Sequence, residues 1–139
     1  MKRLSICWII GCLLELVACR PEVPTQAEQG ETDVFPDYRE VTVPVNMAPP
    51  NFKLVDQQLQ GITRLKTMNR ELIIAADQGV FNLPETDWKV LSQDAQGKQI
   101  DVTVYFREPQ SDWKQMSFPI YVSRDSVDAY LVYRRIFPG

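Results

Sequence analysis

Beyond residue 34 the chain shows short apolar runs cut by turn residues, and only one stretch carries a helical period. That pattern constrains the fold more than any other feature, because a side-chain period of two belongs to strands and cannot be accommodated on a helix. Its clearest instance is Ile100-Asp101-Val102-Thr103-Val104-Tyr105-Phe106. Ile100, Val102, Val104 and Phe106 fall on one face, and Asp101, Thr103 and Tyr105 on the other. This run is expected to be a central strand with its aliphatic face in the core.

The remaining runs fit the same scheme. Val41-Thr42-Val43-Pro44-Val45 alternates, and Pro44 restricts it to a sheet edge or to the start of a strand. Asn46-Met47-Ala48-Pro49-Pro50 then forces an extended turn before Asn51-Phe52-Lys53-Leu54-Val55. Residues 62–67 and 71–76 flank Asn69-Arg70 as a hairpin, and Asp77-Gln78-Gly79 turns the chain into Val80-Phe81-Asn82-Leu83. Residues 113–116 and 118–122 read as two strand-like pieces interrupted at Pro119, and Tyr130-Leu131-Val132-Tyr133 is a further apolar run.

The exception is Thr86-Asp87-Trp88-Lys89-Val90-Leu91. Thr86 is a capping type, and Trp88 and Leu91 stand three apart, so one short helix is expected across the sheet edge, ending within residues 94–97. Roughly seven short strands and one short helix make an all-β fold, an immunoglobulin- or fibronectin-like β-sandwich.

Ahead of this domain lies a different kind of sequence. Lys2 and Arg3 precede an almost unbroken apolar run from residue 4 to residue 14, the length of a signal-peptide core and short of the roughly 20 residues that span a bilayer. The run leads into Leu16-Val17-Ala18-Cys19, which resembles the lipobox of bacterial lipoproteins. The resemblance implies cleavage after Ala18 and acylation of Cys19, so residues 1–18 are the expected signal peptide. An ordinary signal peptide with Cys19 incidental is the alternative, and Ile9-Ile10-Gly11-Cys12 is a weaker second lipobox. One acyl chain contributes about 0.8 kcal/mol per buried methylene and holds only marginally, whereas two or three hold stably. The expected location is the outer membrane, with the lipid on Cys19 as the link. Residues 19–34 are polar, acidic and broken by Pro21 and Pro24, and read as a flexible tether to a domain over residues 35–139.

Composition narrows the function classes. All three cysteines, Cys7, Cys12 and Cys19, lie in the first nineteen residues, so cleavage would leave one, at the new N-terminus. Histidine is absent, which removes the commonest general base and the commonest metal ligand. Net charge is −3, and without residues 1–18 there are 13 basic against 17 acidic residues. No basic stripe exists to neutralise phosphates, so nucleic acid is not an expected partner. No catalytic residues, metal or cofactor are expected.

Three motifs together resemble the N-terminal region of a family of Bacteroidetes lipoproteins whose later part is a TolB-like (WD40-like) β-propeller. They are Phe35-Pro36-Asp37-Tyr38, the stretch from Val41 through Pro44 and Pro50 to Phe52, and Asp128-Ala129-Tyr130-Leu131-Val132-Tyr133-Arg134. The resemblance spans roughly residues 35–139. It implies an exported β-rich module ahead of a propeller, and family members continue past the position of Pro138-Gly139 into a CxxCH-type segment and the blades. This chain is therefore expected to be the front section of something longer, with any catalysis lying in that later part.

The candidate sites are few. Trp88, Tyr105, Trp113 and Tyr121 would form an aromatic platform for a glycan or peptide, with packing in the core as the competing role. Asp101, Glu108, Asp112, Asp125 and Asp128 carry oxygen ligands, but their spacing fits no calcium loop. Ser92, Ser111, Ser117, Ser123 and Ser126 have no histidine to activate them and no Gly-x-Ser-x-Gly elbow. The Asn46 to Asn51 loop is expected to act as a purely structural turn, with fixing the junction of tether and domain as the competing role. The leading functional expectation is a non-catalytic anchored module that docks or positions a propeller or an envelope partner; the alternative is a glycan- or peptide-binding surface lipoprotein.

Overall fold

A computed structural model describes residues 21–128. The expected signal peptide, Cys19 and the run at 130–133 lie outside them. Among the described residues the order of elements is β1 (Glu28–Gln29), β2 (Val34–Phe35), β3 (Thr42–Val43), β4 (Phe52–Leu54), β5 (Gln60–Lys66), β6 (Glu71–Ala75), β7 (Val80–Phe81), α1 (Glu85–Asp94), β8 (Gln99–Arg107) and β9 (Lys114–Val122). The all-β expectation with one short helix holds. No helix among the described residues is long and apolar enough to cross a membrane.

The main sheet has the order β1-β9-β8-β5-β6, with β3 also paired to β9. β8 is central and antiparallel to both neighbours. Its even-numbered residues, Ile100 to Phe106, are buried. They face Ile120, Phe118 and Met116 of β9 on one side and Leu65, Thr63 and Gly61 of β5 on the other. Alternation in three adjacent strands thus builds one continuous apolar face, and each aliphatic side chain buried there is worth about 1.5–3 kcal/mol.

That face is covered by two units. One is an antiparallel three-stranded sheet, β2-β4-β7, carrying Val34, Phe52, Leu54 and Phe81 inward, with the Phe52 and Phe81 ring centroids 4.8 Å apart. It meets the main sheet at Gly61, where a Cβ would stand 2.8 Å from Phe81 Cζ and 2.9 Å from Leu54 Cδ1. Only a glycine permits this approach. The other unit is α1, which buries Trp88, Leu91 and Ser92. An immunoglobulin-like sandwich pairs two sheets of comparable extent; here the second layer is three strands of two or three residues plus a helix.

Three local expectations are corrected. The helix is capped by Pro84 rather than Thr86, starts at Glu85, and places Glu85 and Asp87 in its first turn, where the helix dipole favours acidic groups. β9 runs unbroken through Pro119. Its even-numbered residues bond to β8, while Tyr121 N–H donates to Val41 O and Pro119 O accepts from Glu40 N–H, so odd-numbered groups point away from β8 and the proline forfeits no ladder bond there. Part of the expected tether is also ordered: β1 pairs in parallel with Lys114 and Gln115, and Val34 is 6% exposed within the core. A two-residue strand needs little apolar content of its own when a long neighbour supplies the pairing groups.

Candidate functional site

The loop between β3 and β4 contains Pro44, Pro49 and Pro50. Three missing N–H groups rule out a regular ladder, and the loop's polar groups are satisfied by side chains instead. Trp88 Nε1 donates to Met47 O at 2.8 Å, and Ser92 Oγ, 3.1 Å from both, shares its proton between Val45 O and Lys89 O. Asn51 Oδ1 accepts from Leu83 N–H at 2.8 Å. Asn46 uses both ends of its amide on one residue, donating to Val127 O at 2.8 Å and accepting Val127 N–H at 2.9 Å. Loop, helix and the segment after β9 are thereby fastened together. Between loop and helix lies an open cleft of about 390 Å³, lined by Val45, Met47, Pro49 and Trp88 with exposed Glu85 and Lys89.

The expected aromatic platform does not assemble. Trp88 is 1% exposed and spends its only donor on the Met47 carbonyl. Tyr105 is also buried, on the opposite face of the main sheet, with the Arg64 guanidinium 5.9 Å from its ring centroid. Trp113 is half-buried, and Arg107 lies 4.4 Å over its ring while donating through Nε to Gln60 Oε1 at 2.9 Å. Tyr121 is 41% exposed and shares the outer face with Tyr105. Tyr105 pairs with Gln115, however, so Tyr121 stands six positions further along β9, about 20 Å away. Trp88 is lost to the core because α1 packs across the main sheet, which a helical spacing of three does not reveal.

The carboxylates are likewise dispersed. Glu108 and Asp112 line a polar cleft of about 460 Å³ with Glu31, Asp56, Arg107 and Lys114. Asp101 lies back along β8, accepting from Gln99 Nε2 at 2.6 Å, and Asp125 turns its own N–H onto Ser123 Oγ at 3.0 Å. Asp128 is exposed after β9. Among the described residues no three acidic side chains gather as a metal site. Of the serines, Ser92 is buried on carbonyls and Ser117 Oγ donates to Thr103 Oγ1 at 3.1 Å, while Ser111 and Ser126 are exposed.

One functional-looking carboxylate escaped the sequence reading. Asp94, at the end of α1, accepts from the Thr67 hydroxyl and from Asn69 Nδ2 at 2.9 Å, tying the helix to the turn between β5 and β6. These donors, the Thr67 hydroxyl first and the Asn69 amide next, hold its carboxyl below the usual range. The arrangement is a latch between two elements, and nothing in the spacing of residues 67 and 94 announces it. Comparison with known protein families, with curated proteins and with solved structures finds no match.

Proposed function

We propose that this chain is a lipid-anchored envelope protein, held at the outer membrane through Cys19, whose β-rich domain is a non-catalytic module that docks or positions a propeller or another envelope partner. The observation that carries the reading is the Leu16-Val17-Ala18-Cys19 motif placed nine residues before β1. Nine residues reach at most about 30 Å, so an acylated Cys19 keeps the domain close to the bilayer surface. Ser92 bonded to carbonyls, Ser117 bonded to the Thr103 hydroxyl, the scattered carboxylates and the absence of histidine support a binding role over catalysis. A glycan- or peptide-binding role is the second reading. It rests on Trp113, half-buried between Arg107 and a hollow lined by Gln26, Ala27 and Asp112.

Labelled palmitate fed to a Gram-negative host expressing the chain tests the anchor. The wild type is expected to take up label and Cys19→Ser to take up none. Equal labelling of both overturns the proposal.

A further inference from the structure

The chain leaves the described fold beside the cleft between the β3–β4 loop and α1. After β9 it stays against that loop: Ser123 N–H donates to Val43 O at 2.8 Å, and Asn46 grips Val127 at both its N–H and its C=O. Residues 43–46 and 123–127 therefore run side by side in the same direction, as β3 and β9 do before them. The loop in turn runs antiparallel to α1, because Val45 O is bonded by Ser92 and Met47 O by Trp88, one turn nearer the helix start. A chain holding this course beyond Asp128 passes along the cleft toward Glu85.

The cleft suits an apolar occupant. Val45, Met47 and Pro49 in its wall are half-buried, and Glu85 and Lys89 are its only charged groups among the described residues. Eleven residues follow Asp128: Ala129-Tyr130-Leu131-Val132-Tyr133-Arg134-Arg135-Ile136-Phe137-Pro138-Gly139. Four large apolar side chains stand in a row there, then two arginines, with no acidic residue. Extended chain advances about 3.3 Å per residue, so the path from Val127 to Arg134 reaches up to about 23 Å. The helix rises only about 10 Å between Ser92 and Glu85, so the segment is long enough to run the whole cleft.

We infer that residues 130–133 of this same chain dock in the cleft, against Met47, Pro49 and the loop-facing side of α1, with the Arg134-Arg135 pair at Glu85. Alternate side chains of an extended segment point the same way, so one apolar pair enters the cleft and the other covers it. The bonds to Val43 and Asn46 hold the segment at the rim, at an effective concentration of roughly millimolar, which favours it over a separate protein. The cleft is then closed by the chain itself and is not the surface offered to an envelope partner.

Hydrogen exchange read by mass spectrometry on the full exported chain tests this. In wild type, residues 130–133 are expected to exchange more slowly than a free peptide of that sequence. Leu131→Asp/Val132→Asp puts a carboxylate on each face of the segment, and residues 45–48 should then exchange about tenfold faster, with β8 unchanged as the control for folding. Glu85→Lys opposes the arginines and should speed the same loop by a smaller factor, whereas Asp87→Lys, in the same helical turn but off the cleft, should not. Cys19→Ser removes the lipid and leaves the exchange pattern as it is, so failure of the anchor and failure of the docking are read separately. Exchange at residues 45–48 that ignores Leu131→Asp/Val132→Asp overturns the inference. So does protection that grows with protein concentration, the mark of a second copy's segment, or free-peptide exchange at residues 130–133, which leaves the cleft to a different protein.

Discussion

The β9 side of the main sheet is secured by side chains of α1 and of the β3–β4 loop, while the β6 side rests on one main-chain ladder and the Asp94 latch at its turn. The contrast follows from proline. On the β9 side Pro44, Pro49 and Pro50 deny the loop a ladder, and Trp88, Ser92, Asn46 and Asn51 supply the missing partners. On the β6 side the ladder is regular, and no strand among the described residues pairs with its outer groups. Among those residues, regular pairing on one side leaves an edge unpaired, and irregular pairing on the other closes one.

Trp88→Ala should have the largest effect. It empties a fully buried site and orphans the Met47 carbonyl, at a cost of about 3–5 kcal/mol, measurable by denaturant unfolding. A loss below about 1 kcal/mol would mean that the β9 side does not depend on this fastening.

Proline scanning of β6 sharpens the contrast next. Ala76 N–H donates to Gly61 O, so the even-numbered residues of β6 bond to β5 and the odd-numbered ones point off the edge. Ile74→Pro removes an N–H that bonds to Thr63 and leaves that buried carbonyl unpaired, costing about 2–3 kcal/mol. Ile73→Pro removes only an outward N–H, as Pro119 does on the opposite side of the sheet, and should cost clearly less. Equal losses at the two positions would contradict the deduced direction of the β6 groups.

Asn46→Ala gives up two exposed hydrogen bonds to Val127, worth about 1 kcal/mol together. The expected signature is faster amide exchange at Val127 with little change elsewhere.

The smallest effect is pH-dependent. Because donors hold the folded Asp94 carboxyl below its unfolded value, its contribution is present above the unfolded carboxylate range and is lost as pH falls through the lowered folded value. Melting temperature followed from pH 5 downward should therefore fall less steeply in Asp94→Asn than in wild type. Parallel curves would remove Asp94 from the account of the β6 side.

Much of the fold was legible because neighbours in sequence carry it. β8, the β5–β6 hairpin and the Asp77-Gln78-Gly79 turn all appear where alternation and turn chemistry put them; Gln78 and Gly79 have φ of 48° and 79°, as a tight hairpin turn requires. Pro119 misled, since whether a proline breaks a strand depends on which way its nitrogen points, and that is set by the strand beside it. The candidate site was legible only in part. The Asn46 to Asn51 loop was recognised as a structural turn, and it fastens the helix and the segment after β9 through groups 32 to 81 positions distant.

By itself the sequence determined the period-two strands, the single helix and the want of histidine, because each is legible from residue types and their spacing along the chain. Only the tertiary structure decided that Trp88 belongs to the core, that Tyr105 and Tyr121 stand apart, that Gly61 admits the second sheet, and that among the described residues one sheet edge is paired and the other is not. Those outcomes depend on which surfaces meet across the fold, where packing and hydrogen-bond direction act between residues that local pattern does not connect.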